Sequence, residues 1–394
     1  MPNQYHRGGK KPGFHCPLSG YRPAGKRKKS LPCISFNLHT MRICYATVIL
    51  IVLSVCLQAQ DLSGKIENYL SAIRTRNTFN GTALIVHKGK ILLYKAYGYK
   101  DLKNKIANDT STIYRIGSLS KPFTAALIML MEQEQRLRLQ DPLSTYIPDF
   151  PKGHSITIEE LLTHSSGIKD YLQVKSVQRL PDTAPPVPMD TLISYFSSEP
   201  LIRLPEQKFS YSNSNYILLA RIVEKITGKK FERVVREKIF EPLHMDHSGF
   251  DFKHLASAGK ATGHVRNKSK FTATVDFDST YAPGCGSMYA SAMDLYRFYR
   301  GLCTDRIFDP ATRQRIFTPR HWLYGYGWFV YDLYGRRCIS HAGGVPGFIC
   351  NLQFYPDDDL CIVLLSNTDG GDMIELSDTI SSLVFQLPYK SSGL

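Results

Sequence analysis

Tyr114-Arg115-Ile116-Gly117-Ser118-Leu119-Ser120-Lys121-Pro122-Phe123-Thr124 opens a helix that the sequence predicts to run from Ser118 to about Arg136. Ser118 or Ser120 can cap its start, Pro122 suits a first turn, and Ala125–Met131 is strongly apolar. Ser118 and Lys121 are three residues apart, which on a helix is one face. A serine hydroxyl is a weak nucleophile at neutral pH and needs a nearby base and donors for an oxyanion. The electropositive helix end and partial burial favour release of the Lys121 proton, so it suits a base or proton relay. Taken alone, Ser-x-x-Lys reads more readily as a helix cap followed by a solvated lysine.

Outward from this stretch, the chain alternates in an uneven way. Residues 62–76 place Leu62, Ile66, Leu70 and Ile73 at helical spacing. Two strand-like runs follow, Thr82–His87 and Ile91–Tyr97, joined by Lys88-Gly89-Lys90 as a hairpin turn. A helix followed by an antiparallel hairpin argues against a doubly wound parallel sheet. Residues 140–280 read mostly as helices and loops: Ile156–His164 behind a cap-like Thr157, Tyr216–Thr227 ending at Gly228, and a proline-rich loop over Pro181–Pro188. Strand character returns in Tyr326–Tyr331, Arg337–His341, Phe348–Tyr355 and Leu360–Ser366, and Met373–Phe385 closes the chain as a helix. The expected fold class is α+β. An antiparallel sheet flanked by helices is built from both chain ends, with a mainly helical region inserted over about residues 122–280. Residues 61–390 form one domain in this reading, and active sites commonly lie at such a junction.

Further segments stand in a telling order. Ile156-Thr157-Ile158-Glu159-Glu160-Leu161-Leu162-Thr163-His164-Ser165-Ser166-Gly167-Ile168 is followed by Phe209-Ser210-Tyr211-Ser212-Asn213. Gly284-Cys285-Gly286-Ser287-Met288, Tyr324-Gly325-Tyr326-Gly327-Trp328 and His341-Ala342-Gly343-Gly344 come after them. With the Ser118 stretch, these resemble the serine β-lactamase and penicillin-binding-protein superfamily. The likeness is to the branch of class C β-lactamases, D-alanyl-D-alanine carboxypeptidases and related esterases, and it covers roughly residues 64–386. It implies a β-lactamase/transpeptidase-like fold and a hydrolase that forms an acyl-enzyme on Ser118. Lys121 and Tyr211 would share the proton as a coupled pair. Asn213 would bond both Lys121 and the substrate amide. His341, Gly343 and Gly344 would form the third motif on an edge strand, with the amides of Gly344 and Ser118 as oxyanion donors. Class C enzymes usually carry lysine where His341 stands, and an imidazole grips a substrate carboxylate less firmly. The implied substrate is therefore a D-alanyl peptide, a small ester or amide, or a β-lactam. The alternative is a catalytically silent member that binds cell-wall peptides. His164 reads as structural, His87 as a surface hairpin residue, and Trp328 as core or cleft wall.

Composition narrows the remaining classes. The 394 residues carry a formal charge of +15, but nine Lys or Arg lie in residues 1–60, which hold no Asp or Glu. Basic and acidic residues are interspersed elsewhere, which argues against a nucleic-acid partner. Met41-Arg42 precedes an apolar run from Cys44 to Leu57, about the length of a signal-peptide core and short for a membrane span. Residues 41–59 are thus expected to be a signal peptide, with Gln60 or Asp61 starting a periplasmic or secreted chain. Residues 1–40 are a basic leader or precede the true start at Met41, which is favoured. An uncleaved segment or a lipid on Cys56 would be the only membrane attachment. Five cysteines lie in the body: Cys285, Cys303, Cys338, Cys350 and Cys361. No Cys/His spacing suits a metal, and no cofactor is expected. Cys338, Cys350 and Cys361 lie in apolar runs and read as buried free thiols, unless an oxidising compartment pairs them. Oligomeric state is left open.

Overall fold

The computed structural model describes residues 62–73, 79–181, 183–256, 258–268 and 270–388, so the readings of residues 1–60 lie outside the described residues. Six long strands make the central sheet: β1 (Gly81–His87), β2 (Lys90–Tyr97), β3 (Phe329–Leu333), β4 (Arg336–Val345), β5 (Phe348–Tyr355) and β6 (Leu360–Ser366). Their order is β2-β1-β6-β5-β4-β3, with every neighbour antiparallel. The two chain ends meet where β1 pairs β6, from Gly81 against Ser366 to His87 against Leu360.

The sequence of β6 explains its central place. All seven residues are buried, because both faces of the sheet are covered. Leu360, Ile362 and Leu364 point to one face and pack with Ile66, Leu70 and the last helix. Cys361, Val363 and Leu365 point to the other and join the core of the inserted region. Each such side chain contributes roughly 1.5–3 kcal/mol on burial, so the strand is an anchor for both layers. Residues 62–73, helix α1, cover the first face together with the closing helix.

The inserted region contains α2 (Lys121–Gln133), α3 (Ile158–Leu162) and α4 (Asn213–Thr227), and α5 (Ala292–Cys303) leads the chain back to the sheet. The closing helix is α6 (Met373–Val384). Thr157 and Glu160 form a reciprocal capping box at α3. Phe123 of α2 stacks on Phe298 of α5 with centroids 3.7 Å apart. Trp328 is core, packed on Phe317 and Phe354. A small hairpin, His264–Asn267 with Lys270–Ala273, also lies within the insertion, which is therefore not wholly helical.

Several boundaries differ from the sequence reading; among them α2 ends at Gln133, not Arg136, α3 is shorter than Ile156–His164, and α4 begins at Asn213, not Tyr216. The helix predicted from Ser118 starts at Lys121, and Gly117–Ser120 is a 3₁₀ turn ahead of it. Ser120 stands at the N-cap position but makes no side-chain capping bond: its hydroxyl donates to Gly117 O at 2.7 Å, turned back into the tight turn. The hairpin turn is only Lys88-Gly89, both at positive φ, and Lys90 already belongs to β2. The strand placed at Tyr326 begins at Phe329, because the chain turns back with Gly325 N–H donating to Trp328 O. Strand β4 runs past His341 to Val345, since pairing of Gly343 with Cys350 and Gly344 with Ile349 overrides the low strand preference of glycine.

Candidate active site

The 3₁₀ turn is held by residues far away in sequence. Tyr114–Arg115 pairs with Tyr289–Ala290, and Ile116 N–H donates to Met288 O at 3.0 Å. Met288 N–H in turn donates to the Ser120 hydroxyl at 3.2 Å, and the Thr124 hydroxyl donates to Gly284 O at 2.6 Å. On its other side the turn rests on the second half of β4. β3 pairs β4 only from Arg336 to Ser340, so His341–Val345 is open on the side away from β5. The approach is so close that only glycine fits. A Cβ on Gly343 would lie 1.9 Å from Ile116 O, and one on Gly117, at φ +49°, would lie 2.8 Å from Gly344 N.

This packing leaves Ser118 partly exposed above a fully buried Lys121. Lys121 Nζ is 3.0 Å from Ser118 Oγ, 2.7 Å from Asn213 Oδ1 and 2.9 Å from Cys285 O. Three acceptors match the three donors of an ammonium. A neutral amine has two N–H groups and one lone pair. With Asn213 Oδ1 and Cys285 O able only to accept, its two N–H groups go to them and its lone pair faces Ser118. The site thus accommodates both protonation states of Lys121 without moving a heavy atom.

Asn213, the first residue of α4, is oriented by a group that the sequence did not single out. Its Nδ2 donates to Asp170 Oδ2 at 2.8 Å, which turns its Oδ1 towards Lys121. Asp170 is nearly buried, and its other oxygen accepts Leu172 N–H at 3.0 Å. Tyr211 presents its ring: the Lys121 ammonium lies 4.7 Å from the ring centroid, a cation–π contact. Among the described residues its hydroxyl makes no hydrogen bond to Ser118 or Lys121.

His164 holds the Tyr211 segment from both sides. Its carbonyl accepts Ser210 N–H at 2.7 Å, its Nδ1 accepts Ser212 N–H at 3.2 Å, and its ring lies 4.3 Å from that of Tyr211. Because Nδ1 accepts, the ring proton sits on Nε2. Burial, then the nearby Lys121 charge, hold this imidazole far below its usual range. His87 ends β1 half-buried, in edge contact with Phe385.

His341 is placed differently from Gly343 and Gly344. It is 2% exposed and points into the aromatic core. Nδ1 lies 2.7 Å from Ala342 O, which can only accept, so Nδ1 carries the proton and Nε2 accepts the Tyr324 hydroxyl at 3.2 Å. Burial first, and the Lys121 charge second, push its pKa down to about 3. The ring is therefore neutral, with both nitrogens engaged, and does not line the cavity beside Ser118.

That cavity, about 320 Å³, is bordered by Ser118, Asn213, Cys285 and Gly344 at its reactive end. The five body cysteines are free thiols. Burial pushes the Cys285 thiol up to about 11, so it stays protonated. Cys285 O would have been hard to find from sequence, since a backbone carbonyl leaves no residue-type signal. Among the described residues, no group of three or more His, Cys, Asp or Glu is placed to hold a metal ion.

The chain is similar to known proteins over most of its length. The description of the Beta-lactamase family matches residues 66–384. "Putative penicillin-binding protein PbpX" of Bacillus subtilis (strain 168) is 32% identical over 328 residues, covering 83% of this chain and 78% of the relative. The teichoic acid D-alanine hydrolase of Staphylococcus aureus is 26% identical, covering 84% of this chain and 80% of its own. In fold, the D-amino acid amidase of Ochrobactrum anthropi SV3 superposes with a TM-score of 0.73 at 21% identity, over 83% of this chain and 99% of the amidase.

Proposed function

The chain belongs to the Beta-lactamase family of serine hydrolases, and on that premise we propose that it hydrolyses an ester or amide through an acyl-enzyme on Ser118. The observation that carries this is the buried Lys121 amine 3.0 Å from Ser118 Oγ, fixed on its other sides by Asn213 Oδ1 and Cys285 O. As Oγ bonds to the substrate carbonyl carbon, its proton passes to the Lys121 lone pair. The resulting ammonium is stabilised by both acceptors and by the ring face of Tyr211. It then gives the proton to the leaving oxygen or nitrogen as that bond breaks. A water adds to the acyl carbonyl, its proton returning through Lys121 to Ser118 Oγ as the acid departs. Tyr211 acts here through its ring face, its hydroxyl becoming a second carrier for the same proton only on turning within hydrogen-bond reach of Ser118 or Lys121, and the amides of Ser118 and Gly344 are the oxyanion donors in this reading.

The acyl donor is a D-alanyl or other D-aminoacyl ester or amide. The name of the teichoic acid D-alanine hydrolase supports this. Gly343 lets the strand close on the nucleophile turn. His341 acts from behind by fixing Tyr324, and it does not contact substrate. The protein acts after export, with residues 41–59 removed. A fluorophosphonate probe tests the core of the proposal: the wild type is labelled, and Ser118→Ala is not. Equal labelling of both would overturn it.

A further inference from the structure

The walls of the cavity beside Ser118 carry a message about substrate that the reactive end does not. Away from Ser118 they are Leu172, Val177, Leu180, Phe277, Val345 and Pro346. Two tyrosines add to them, but with their polar ends turned away. The Tyr171 hydroxyl donates to Tyr281 O at 2.7 Å, and the Tyr281 hydroxyl donates to Pro185 O at 2.8 Å. Both therefore offer ring surface to a ligand.

The buried cations around the cavity, Lys121 and Arg115, are committed elsewhere. The three donors of Lys121 are directed at Ser118, Asn213 and Cys285. Arg115 stands behind Phe277, with its guanidinium 4.2 Å from that ring, its Nη2 donating to Phe277 O and its charge met by Asp276. His341, at the motif position where a cation would grip a carboxylate, is turned into the core and bonded to Tyr324. Among the described residues, no Lys or Arg side chain borders the cavity.

We propose that Ser118 takes an ester or amide whose scissile bond is flanked by uncharged, apolar groups, and that a free carboxylate beside that bond is rejected. A carboxylate pressed against Val345, Pro346 and Phe277 would lose its water without gaining a partner, which is costly. An amide or alkyl group there loses far less and gains apolar contact. The inference rests on the acyl-enzyme reading and narrows its substrates. D-alanyl peptides ending in a free carboxylate become poor substrates, and blocked D-aminoacyl esters and amides become good ones.

The test uses a matched pair of thioesters, N-benzoyl-D-alanyl-thioglycolic acid and N-benzoyl-D-alanyl-thioglycolamide. Cleavage of either transfers the acyl group to Ser118 and releases one thiol, which is followed directly. The expected result is kcat/KM at least tenfold higher for the amide, with a ratio narrowed at least threefold in Val345→Lys, which adds a cation to the wall. A wild-type enzyme that labels with fluorophosphonate on Ser118 yet cleaves the acid as well as the amide overturns this inference and leaves the acyl-enzyme reading standing. An unchanged ratio in folded Val345→Lys overturns its electrostatic basis. Absence of labelling on Ser118 overturns the parent reading, and this inference with it.

Discussion

Asp170→Ala should disable the site without touching Ser118 or Lys121. Asp170 accepts from Asn213 Nδ2 at 2.8 Å and from Leu172 N–H at 3.0 Å. Hydrogen bonds to a charged acceptor contribute about 1.5–3 kcal/mol each. Part of that is offset by removing a nearly buried charge, so the expected net loss of stability is about 2 kcal/mol. For a domain of this size that lowers the melting temperature by about 3 °C. The larger effect should be on catalysis. Once Asp170 is gone, the Asn213 amide is free to turn, and its Nδ2 would then face the Lys121 donors. Losing one of the two fixed acceptors of Lys121 is worth about 1.4–2.8 kcal/mol, a 10- to 100-fold fall in kcat/KM. Asp170→Asn keeps an acceptor for Asn213 Nδ2 and should recover part of the rate. The assay is thioester cleavage at a temperature where melting curves show both variants folded. A folded Asp170→Ala enzyme within twofold of wild type would refute the claim that Asp170 orients Asn213.

Three other outcomes are expected. Lys121→Met should lower kcat about 10³-fold, the range for loss of a general base, and should lower the melting temperature, because Asn213 Oδ1 and Cys285 O lose a donor. Gly343→Ala places its Cβ 1.9 Å from Ile116 O and should cost about 1–3 kcal/mol, with fluorophosphonate labelling slowed more than tenfold; Gly344→Ala, whose Cβ meets only Ile349 at 3.9 Å, should keep the wild-type melting temperature. Acid should destabilise the protein. Unfolded imidazoles take up protons below 6.5, whereas His341 resists until about pH 3 and His164 is also held far below 6.5. Stability from both is present above 6.5 and is lost as the pH falls below it, for His341 by about 1.4 kcal/mol per unit. Melting curves at pH 7 and 5 should differ, His341 should account for about 2 kcal/mol of the difference and His341→Gln should remove that share, and a difference unchanged in His341→Gln would contradict the buried, neutral assignment.

How much of this was legible in the sequence depended on the distance over which each signal acts. Ser118 and Lys121 are three apart, and their contact follows from local backbone geometry even though the turn is 3₁₀ and the helix begins only at Lys121. The short runs of β-forming apolar residues in β1 and β6 marked a sheet built from both chain ends, because such runs are also a local signal. Asp170 carried no such signal: its partner Asn213 is 43 residues away, and an isolated acid in a loop looks solvated. Cys285 acts through a carbonyl that any residue type could supply, 164 residues from Lys121. His341 was found by its motif, but the direction of its ring was set by Tyr324 and the aromatic cluster, a tertiary matter. Pairing with β5 likewise carried β4 through Gly343 and Gly344, where the resemblance had implied an edge strand but local preference ended it at His341.

The central claim is that the acyl group resides on Ser118, and intact-protein mass after rapid quenching with N-benzoyl-D-alanyl-thioglycolamide tests it most directly. The account predicts a protein heavier by one N-benzoyl-D-alanyl group, mapped to the peptide that contains Ser118, with no gain in Ser118→Ala. Thiol release with an unmodified Ser118 peptide, or the same adduct on Ser118→Ala, would contradict it.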